Sequence, residues 1–245
     1  MRRTQRIGLV IFILLALVLA GPVSLAEQGA QGFEVHFLDV GQADCAVILS
    51  DGRVMMIDGG EAAGSGLVVS YLRDVLHVSH IDVMVSTHPH DDHAGGLSAV
   101  LGAFTVGEVF SPVREYASEV FDAFLRQVGM RGRSLRVPEA GDSFSLGSAW
   151  VQFLTPLRAD YPLENDRSLV LRVTYGATSF LFMGDAEKGA EEDIVRAGLE
   201  KRYELRSDVI KAGHHGWGTS TTPGLLEAVK PRYAVISVGE QNSFE

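Results

Sequence analysis

Apolar and polar positions along this chain switch repeatedly between two periods. From Phe33, FEVHFLDV alternates, CAVILS runs apolar from Cys45 to Ser50, and RVMMID runs from Arg53 to Asp58 after an Asp51-Gly52 turn. These predict hairpin-connected strands. GLVVSYLRDVLHV (66–78) then carries apolar residues at helical spacing, and IDVMVST (81–87) is a β-branched run short enough for a buried strand. After the loop HPHDDHAGG come a helix over LSAVLGAF (97–104), a strand over VGEVFSP (106–112) and a helix over SEVFDAFLRQVG (118–129) with a glycine stop. From Ser134 the chain turns to strands: SLRVPEAG, SFSLGSAWVQFLTP, SLVLRVTYG and TSFLFMGD. A helix over Glu187 to Leu199, a strand at DVIKAG, a helix at PGLLEAVK and a strand at YAVISVG complete the pattern.

Each half opens with strands and alternates with helices afterwards. That order predicts an α+β fold of two sheets packed face to face with helices outside, a four-layer αββα sandwich, as one domain over residues 33–245. The first residues stand apart. MRRTQR is basic, IGLVIFILLALVLA is apolar but shorter than the roughly 20 residues of a spanning helix, and Ser24-Leu25-Ala26 offers a cleavage point. Residues 1–26 are therefore expected to be a signal peptide and the domain to be secreted or extracytoplasmic, without stable membrane insertion. Left uncleaved, the same segment would act as an anchor.

The only cysteine, Cys45, lies in an apolar strand, so no intramolecular disulfide is available. The formal charge is −10, and loss of Arg2, Arg3 and Arg6 with the signal takes it to −13. No global basic field holds nucleic acid here.

Chemistry concentrates in STHPHDDHAGG. Three of the chain's eight histidines, His88, His90 and His93, fall there with Asp91 and Asp92, at the end of a strand. His88 and His90 are two apart and share a side if the extended geometry persists. Imidazole suits Zn, Fe or Mn, and carboxylate adds a hard oxygen, so one loop could serve two adjacent ions. A solvated turn accounts for one histidine but poorly for this set. Two more, His214-His215, follow a later strand.

Together with Asp58 in MIDGG and Asp185 in LFMGD, this HxHxDH series resembles the metallo-β-lactamase superfamily. FLDVGQAD, NDRSLVLRVTYG, FLFMGD, VIKAGHHG and AVISVGEQN resemble, more narrowly, the extracytoplasmic metallohydrolase domain of the ComEC/Rec2 competence proteins and their stand-alone secreted relatives. The resemblance implies two divalent metal ions, Zn or Mn. His88 and His90 would bind the first, Asp92 and His93 the second, Asp185 would bridge, and His214 or His215 would complete the second. Asp58 would orient a ligand. No histidine occurs between His93 and His214, where many members have one. Asn165 takes that place, either as a weaker, harder ligand or in a turn or cap with Asp166.

The implied reaction is hydrolysis by a hydroxide shared between the ions, with Asp91 or Asp92 orienting it and an imidazole of the His214-His215 pair protonating the leaving group. A phosphodiesterase or nuclease acting on DNA is the leading expectation. Behind it stand a phosphorylcholine esterase-like or lactonase-like small-molecule hydrolase and an inactive metal-stabilised binding module. Lys211, Ser168 and the run Thr219-Ser220-Thr221-Thr222 are candidate phosphate or oxyanion contacts, the run being equally a helix cap. A segment resembling SVGEQN normally continues into further helix, so a truncated C-terminus at Glu245 is also expected.

Overall fold

The computed structural model describes residues 32–240, so the expected signal peptide and the end of the chain lie outside the described residues. Strand β1 (Phe33–Phe37) pairs antiparallel with β2 (Ala46–Ser50), which turns into antiparallel β3 (Arg53–Ile57). Asp51 and Gly52, at φ 49° and 78°, supply the left-handed pair that a two-residue hairpin turn requires. Helix α1 (Ser65–Ser70) opens into one wide turn over Tyr71–Val75 and leads to β4 (His80–Val85), parallel to β3. Short α2 (Asp91–Ala94) and α3 (Leu97–Ala103) precede β5 (Thr105–Phe110), and α4 (Glu119–Met130) precedes β6 (Leu135–Arg136). The first sheet has the order β1-β2-β3-β4-β5-β6.

The second sheet starts as an antiparallel meander of β7 (Ser143–Leu146), β8 (Ala149–Phe153), β9 (Leu171–Tyr175) and β10 (Thr178–Phe182). Helix α5 (Lys188–Leu199) leads to parallel β11 (Val209–Lys211), and α6 (Pro223–Val229) to parallel β12 (Tyr233–Val235). Its order is β12-β11-β10-β9-β8-β7.

Strand alternation sorts the core into layers. Met55 and Ile57 of β3 face the space between the sheets with Val83, Val85, Phe153, Leu171 and Phe182, whereas Met56 faces α1, α3 and α4 among Val68, Leu97, Val100 and Phe121. On the far side, Leu181 and Met183 meet Ala190 and Ile194 of α5 and Leu225 and Val229 of α6. Three apolar layers between four layers of structure make the αββα sandwich that the pattern predicts.

Three elements differ from the sequence reading. SFSLGSAWVQFLTP is a hairpin rather than one strand, broken at Gly147 (φ 57°), where a Cβ would lie 2.4 Å from the Ser50 carbonyl oxygen. The helix over 66–78 is regular only through Ser70. Only two residues of SLRVPEAG pair as a strand, because Pro138 brings no N–H to a ladder. Among the described residues, no helix is long and apolar enough to cross a membrane.

Candidate metal centre

Parallel strands carry their carboxyl ends to one edge, and here that edge belongs to both sheets. Asp58 follows β3, His88 follows β4, Asp185 follows β10 and His214 follows β11. The two edges are tied by Leu169 N–H donating to the Thr87 carbonyl at 2.8 Å. Gly184, at φ 54°, lets them close: a Cβ there would lie 2.9 Å from Thr87 Cβ.

The carboxylate of Asp185 sits between two groups of imidazoles. Its Oδ1 lies 3.1 Å from His93 Nε2 and 3.8 Å from His215 Nε2, while Oδ2 lies 3.6 Å from His88 Nε2 and 3.9 Å from His214 Nε2. Asp92 Oδ2 reaches His215 Nε2 at 3.2 Å and His93 Nε2 at 3.9 Å. Thus Asp92, His93, Asp185 and His215 converge as one donor group, and His88, His90 and Asp185 as a second. Ligands on a tetrahedral ion with bonds of about 2.1 Å stand roughly 3.4 Å apart, the range seen here. Buried His93 Nε2 and Asp185 Oδ1, though close, make no aligned hydrogen bond. A pair of apposed but unsatisfied buried atoms fits a cation between them.

The supporting contacts explain the orientation of the rings. Asp58, held in the left-handed region (φ 58°), accepts from Thr87 N–H and Oγ1–H at 2.7 Å each and from His93 Nδ1–H at 2.9 Å. This leaves the Nε2 lone pair of His93 turned to the centre. His214 and His215 are both left-handed (φ 46° and 53°), and their ring planes stand at 60° to each other. His215 is buried with Nδ1 3.1 Å from the Ser237 carbonyl and Nε2 at the centre. His214 is half-buried at the mouth, with Nδ1 near Thr219 Oγ1 (3.3 Å) and Glu187 Oε1 (3.4 Å).

The remaining expected residues have the following contacts. Asp91 is exposed and accepts from Ser118 Oγ–H at 2.9 Å, outside both donor groups. Asn165 donates Nδ2–H to Glu187 Oε1 at 2.8 Å, and its buried Oδ1 has no hydrogen-bond partner. Asp166 caps the turn into α5, accepting from Glu187 and Ala190 N–H. Ser168 is buried and its Oγ accepts from Asp185 N–H at 3.1 Å, so it positions Asp185 instead of meeting solvent. Thr222 caps α6, and Ser220 and Thr221 brace Gly213. Lys211 is buried on Asp44, 2.7 Å away, and does not reach out to a phosphate. Asp44 and Glu187 were missed by sequence reasoning. A lone acid opening the apolar run CAVILS was the available signal for Asp44.

Burial and charge set the protonation of the metal-free centre. Burial alone would lower His93, but Asp185 and Asp58 raise its pKa well above the ordinary histidine value. His215 is pushed up to about 9 against burial, by Asp44, Asp92 and Asp185. Burial and the neighbouring His93 charge push His88 well down, and Asp185, despite burial, is held well below the carboxylate range by His93 and His88. A metal ligand must be neutral imidazole, so binding at the Asp92–His93–His215 group displaces protons. Affinity for Zn or Mn should therefore climb with pH up to at least about 9, where His215 gives up its proton, with proton release visible in calorimetry across buffers. The sign is opposite for the metal-free fold: stabilisation from the raised His215 is complete below about 6.5 and is lost as pH rises through about 9. A metal affinity flat across that interval would contradict this protonation scheme.

A sequence model of the metallo-beta-lactamase superfamily matches residues 38–240. The chain belongs to that superfamily. Within it, the chain is similar to Recombination protein 2 of Haemophilus influenzae (30% identical, over 87% of this chain and 25% of the relative). It is also similar to Competence protein ComA of Neisseria gonorrhoeae (30%, over 94% and 30%) and ComE operon protein 3 of Bacillus subtilis (26%, over 86% and 29%). It spans between a quarter and three tenths of the length of these relatives. Among solved structures, CmlA, a diiron beta-hydroxylase from Streptomyces venezuelae, superposes with a TM-score of 0.55 at 17% identity, covering 83% of this chain and 44% of that one. The Rm3 metallo-beta-lactamase does so at 0.50 and 13% identity, over 74% and 76%. At these identities the likeness is one of fold. The metallo-beta-lactamase fold and the competence-protein relationship both agree with the sequence reading.

Proposed function

We propose that this metallo-beta-lactamase-family chain is a two-metal hydrolase of phosphodiesters, acting on DNA outside the cytoplasmic membrane. The observation that carries the reading is Asp185, whose two carboxylate oxygens each face a separate imidazole group. His88, His90 and Asp185 Oδ2 would hold one ion, with Asn165 Oδ1 a further donor. Asp92, His93, His215 and Asp185 Oδ1 would hold the other. Zn or Mn at such a pair supplies Lewis acidity and lowers the pKa of water.

The chain's own residues do the rest. Asp92 aligns the attacking water as well as binding. His214, braced by Thr219 and Glu187 at the mouth, delivers a proton to the departing oxygen. The acidic balance of the chain gives no general attraction for a polyanion, so phosphate recognition falls to the ions. The names of the recombination and competence relatives favour nucleic acid over a β-lactam or lactone, and the signal peptide expected at residues 1–26 favours an extracytoplasmic site of action.

Metal content measured beside turnover of bis-p-nitrophenyl phosphate, single-stranded DNA and a lactone tests this. Two ions per chain and phosphodiester turnover are expected, with His88→Ala lowering it at least about 10²-fold through loss of a metal ligand. Turnover of the lactone alone would move the chain to small-molecule hydrolysis. No bound ion after Zn or Mn supplementation would leave a binding module.

A further inference from the structure

The two ligand histidines assigned above to the second ion each have a buried carboxylate behind them. Asp58 Oδ2 accepts from His93 Nδ1–H at 2.9 Å, and Asp44 Oδ1 lies 3.4 Å from His215 Nδ1. The two carboxylates are otherwise unlike. Asp58 has its oxygens filled by Thr87, whereas Asp44 Oδ2 is held by the Lys211 ammonium at 2.7 Å and its Oδ1 is buried with no hydrogen bond. Both members of the Asp44–Lys211 pair are more than nine-tenths buried, and Lys211 spends another proton on the Ala212 carbonyl at 2.9 Å. A pair that far from water is a poor stabiliser compared with apolar side chains of the same volume, so its presence calls for another role.

Its connections supply one. The Asp44 main chain donates to the Asp92 carbonyl at 3.1 Å and accepts from Gly60 N–H at 2.8 Å, so the loop before β2 is pinned to the same α2 turn that carries Asp92 and His93. Lys211 is the last residue of β11, four residues before His215. Asp44 therefore touches two residues of that donor group, one through its backbone and one through its side chain, and Lys211 sets how much of its negative charge is left for His215.

We propose that Asp44 and Lys211 are positioning residues that tune the second metal site, Asp44 by backing the His215 ring with negative charge and Lys211 by partly cancelling that charge. The inference rests on the two-metal reading. A carboxylate that accepts the N–H of a ligating imidazole is worth about 10- to 100-fold in metal affinity; Asp44 acts through charge alone, because His215 Nδ1 faces the Ser237 carbonyl at 3.1 Å, so its loss falls at the lower end of that range. Removing the cation beside it does the reverse, because an uncompensated carboxylate a few ångströms away attracts the incoming ion while it destabilises the metal-free fold. A pair that only holds the fold together would lose both properties in both variants.

Calorimetric titration of Zn and of Mn into the chain, beside thermal melting of the metal-free forms, separates the two roles. Asp44→Asn is expected to weaken one of two equivalents by about 10-fold and leave the other within about threefold. Lys211→Met is expected to tighten that same equivalent while lowering the metal-free melting temperature. The double variant should regain the melting temperature and keep the weak equivalent. If Lys211→Met does not fold, the double variant decides alone. Wild-type affinity for both ions in Asp44→Asn and in the double variant would overturn the proposal, as would Lys211→Met weakening the equivalent that Asp44→Asn weakens. Fewer than two ions on the unaltered chain would instead overturn the two-metal reading itself.

Discussion

Asp185→Asn is expected to reduce phosphodiester turnover by about 10³-fold or more, equivalent to about 4 kcal/mol of transition-state stabilisation, and to lower bound metal below two ions per chain. The change is isosteric. The backbone contact from Asp185 N–H to Ser168 Oγ is unaffected, so far-UV circular dichroism should match the parent. What disappears is the one group whose oxygens face His93 and His215 on one side and His88 and His214 on the other. An amide offers one neutral oxygen in place of two charged ones and turns an N–H₂ toward an imidazole lone pair or an ion. The buried, positively biased His93 also loses its largest favourable partner. Two bound ions with turnover within tenfold of the parent would show that Asp185 is not shared between sites.

Gly96→Ala should have the largest effect on stability, about 3 kcal/mol, because relief requires backbone movement. A Cβ at Gly96 would lie 2.0 Å from the Gly59 carbonyl oxygen, and the same pair of segments is laced by Gly59 N–H to the His93 carbonyl (2.7 Å) and Gly96 N–H to the Gly60 carbonyl (2.8 Å). No rotamer change can answer a main-chain clash. The turn after β3 must withdraw from the α2–α3 elbow, carrying Asp58 away from His93. For a domain of this size the loss corresponds to a fall in melting temperature of roughly 6–12 °C, and metal affinity should fall with it. Melting within about 2 °C of the parent would mean that the two backbones are not in contact in solution.

The sandwich was legible because each strand signals twice, once by alternation and once by the turn that ends it. Met55, Met56 and Ile57 show why: the period-2 pattern holds even where both faces are apolar, and each face meets a different layer. Gly147 was missed because a glycine and a serine inside a long apolar run look like a weak spot in one strand, and the close approach of Ser50 that requires the turn is a contact across nearly a hundred residues. The centre was half legible. His88, His90, Asp92 and His93 crowd into one loop and declare themselves, and their spacing to Asp185 and the paired histidines repeats a known order. The choice between His214 and His215 could not be read, since it depends on two successive left-handed residues that bury the His215 ring beside Asp92 and leave the His214 ring half-buried beside Glu187. Lys211 read as a candidate phosphate contact because nothing local reveals Asp44, which reaches it from the loop before β2 of the other sheet.

The donor groups draw on both sheets, and this bears on how a chain with one cysteine keeps its two halves registered. His93 and Asp185 are separated by about ninety residues, and an ion gripping both would close that loop as a covalent cross-link does. In the chain-entropy treatment of such closures, a loop of this length is worth on the order of 4 kcal/mol. Chelation would then act on this protein as reduction acts on a disulfide-bonded one: the secondary structure would persist while the seam between the sheets loosens, and protease sensitivity would appear first where the halves meet.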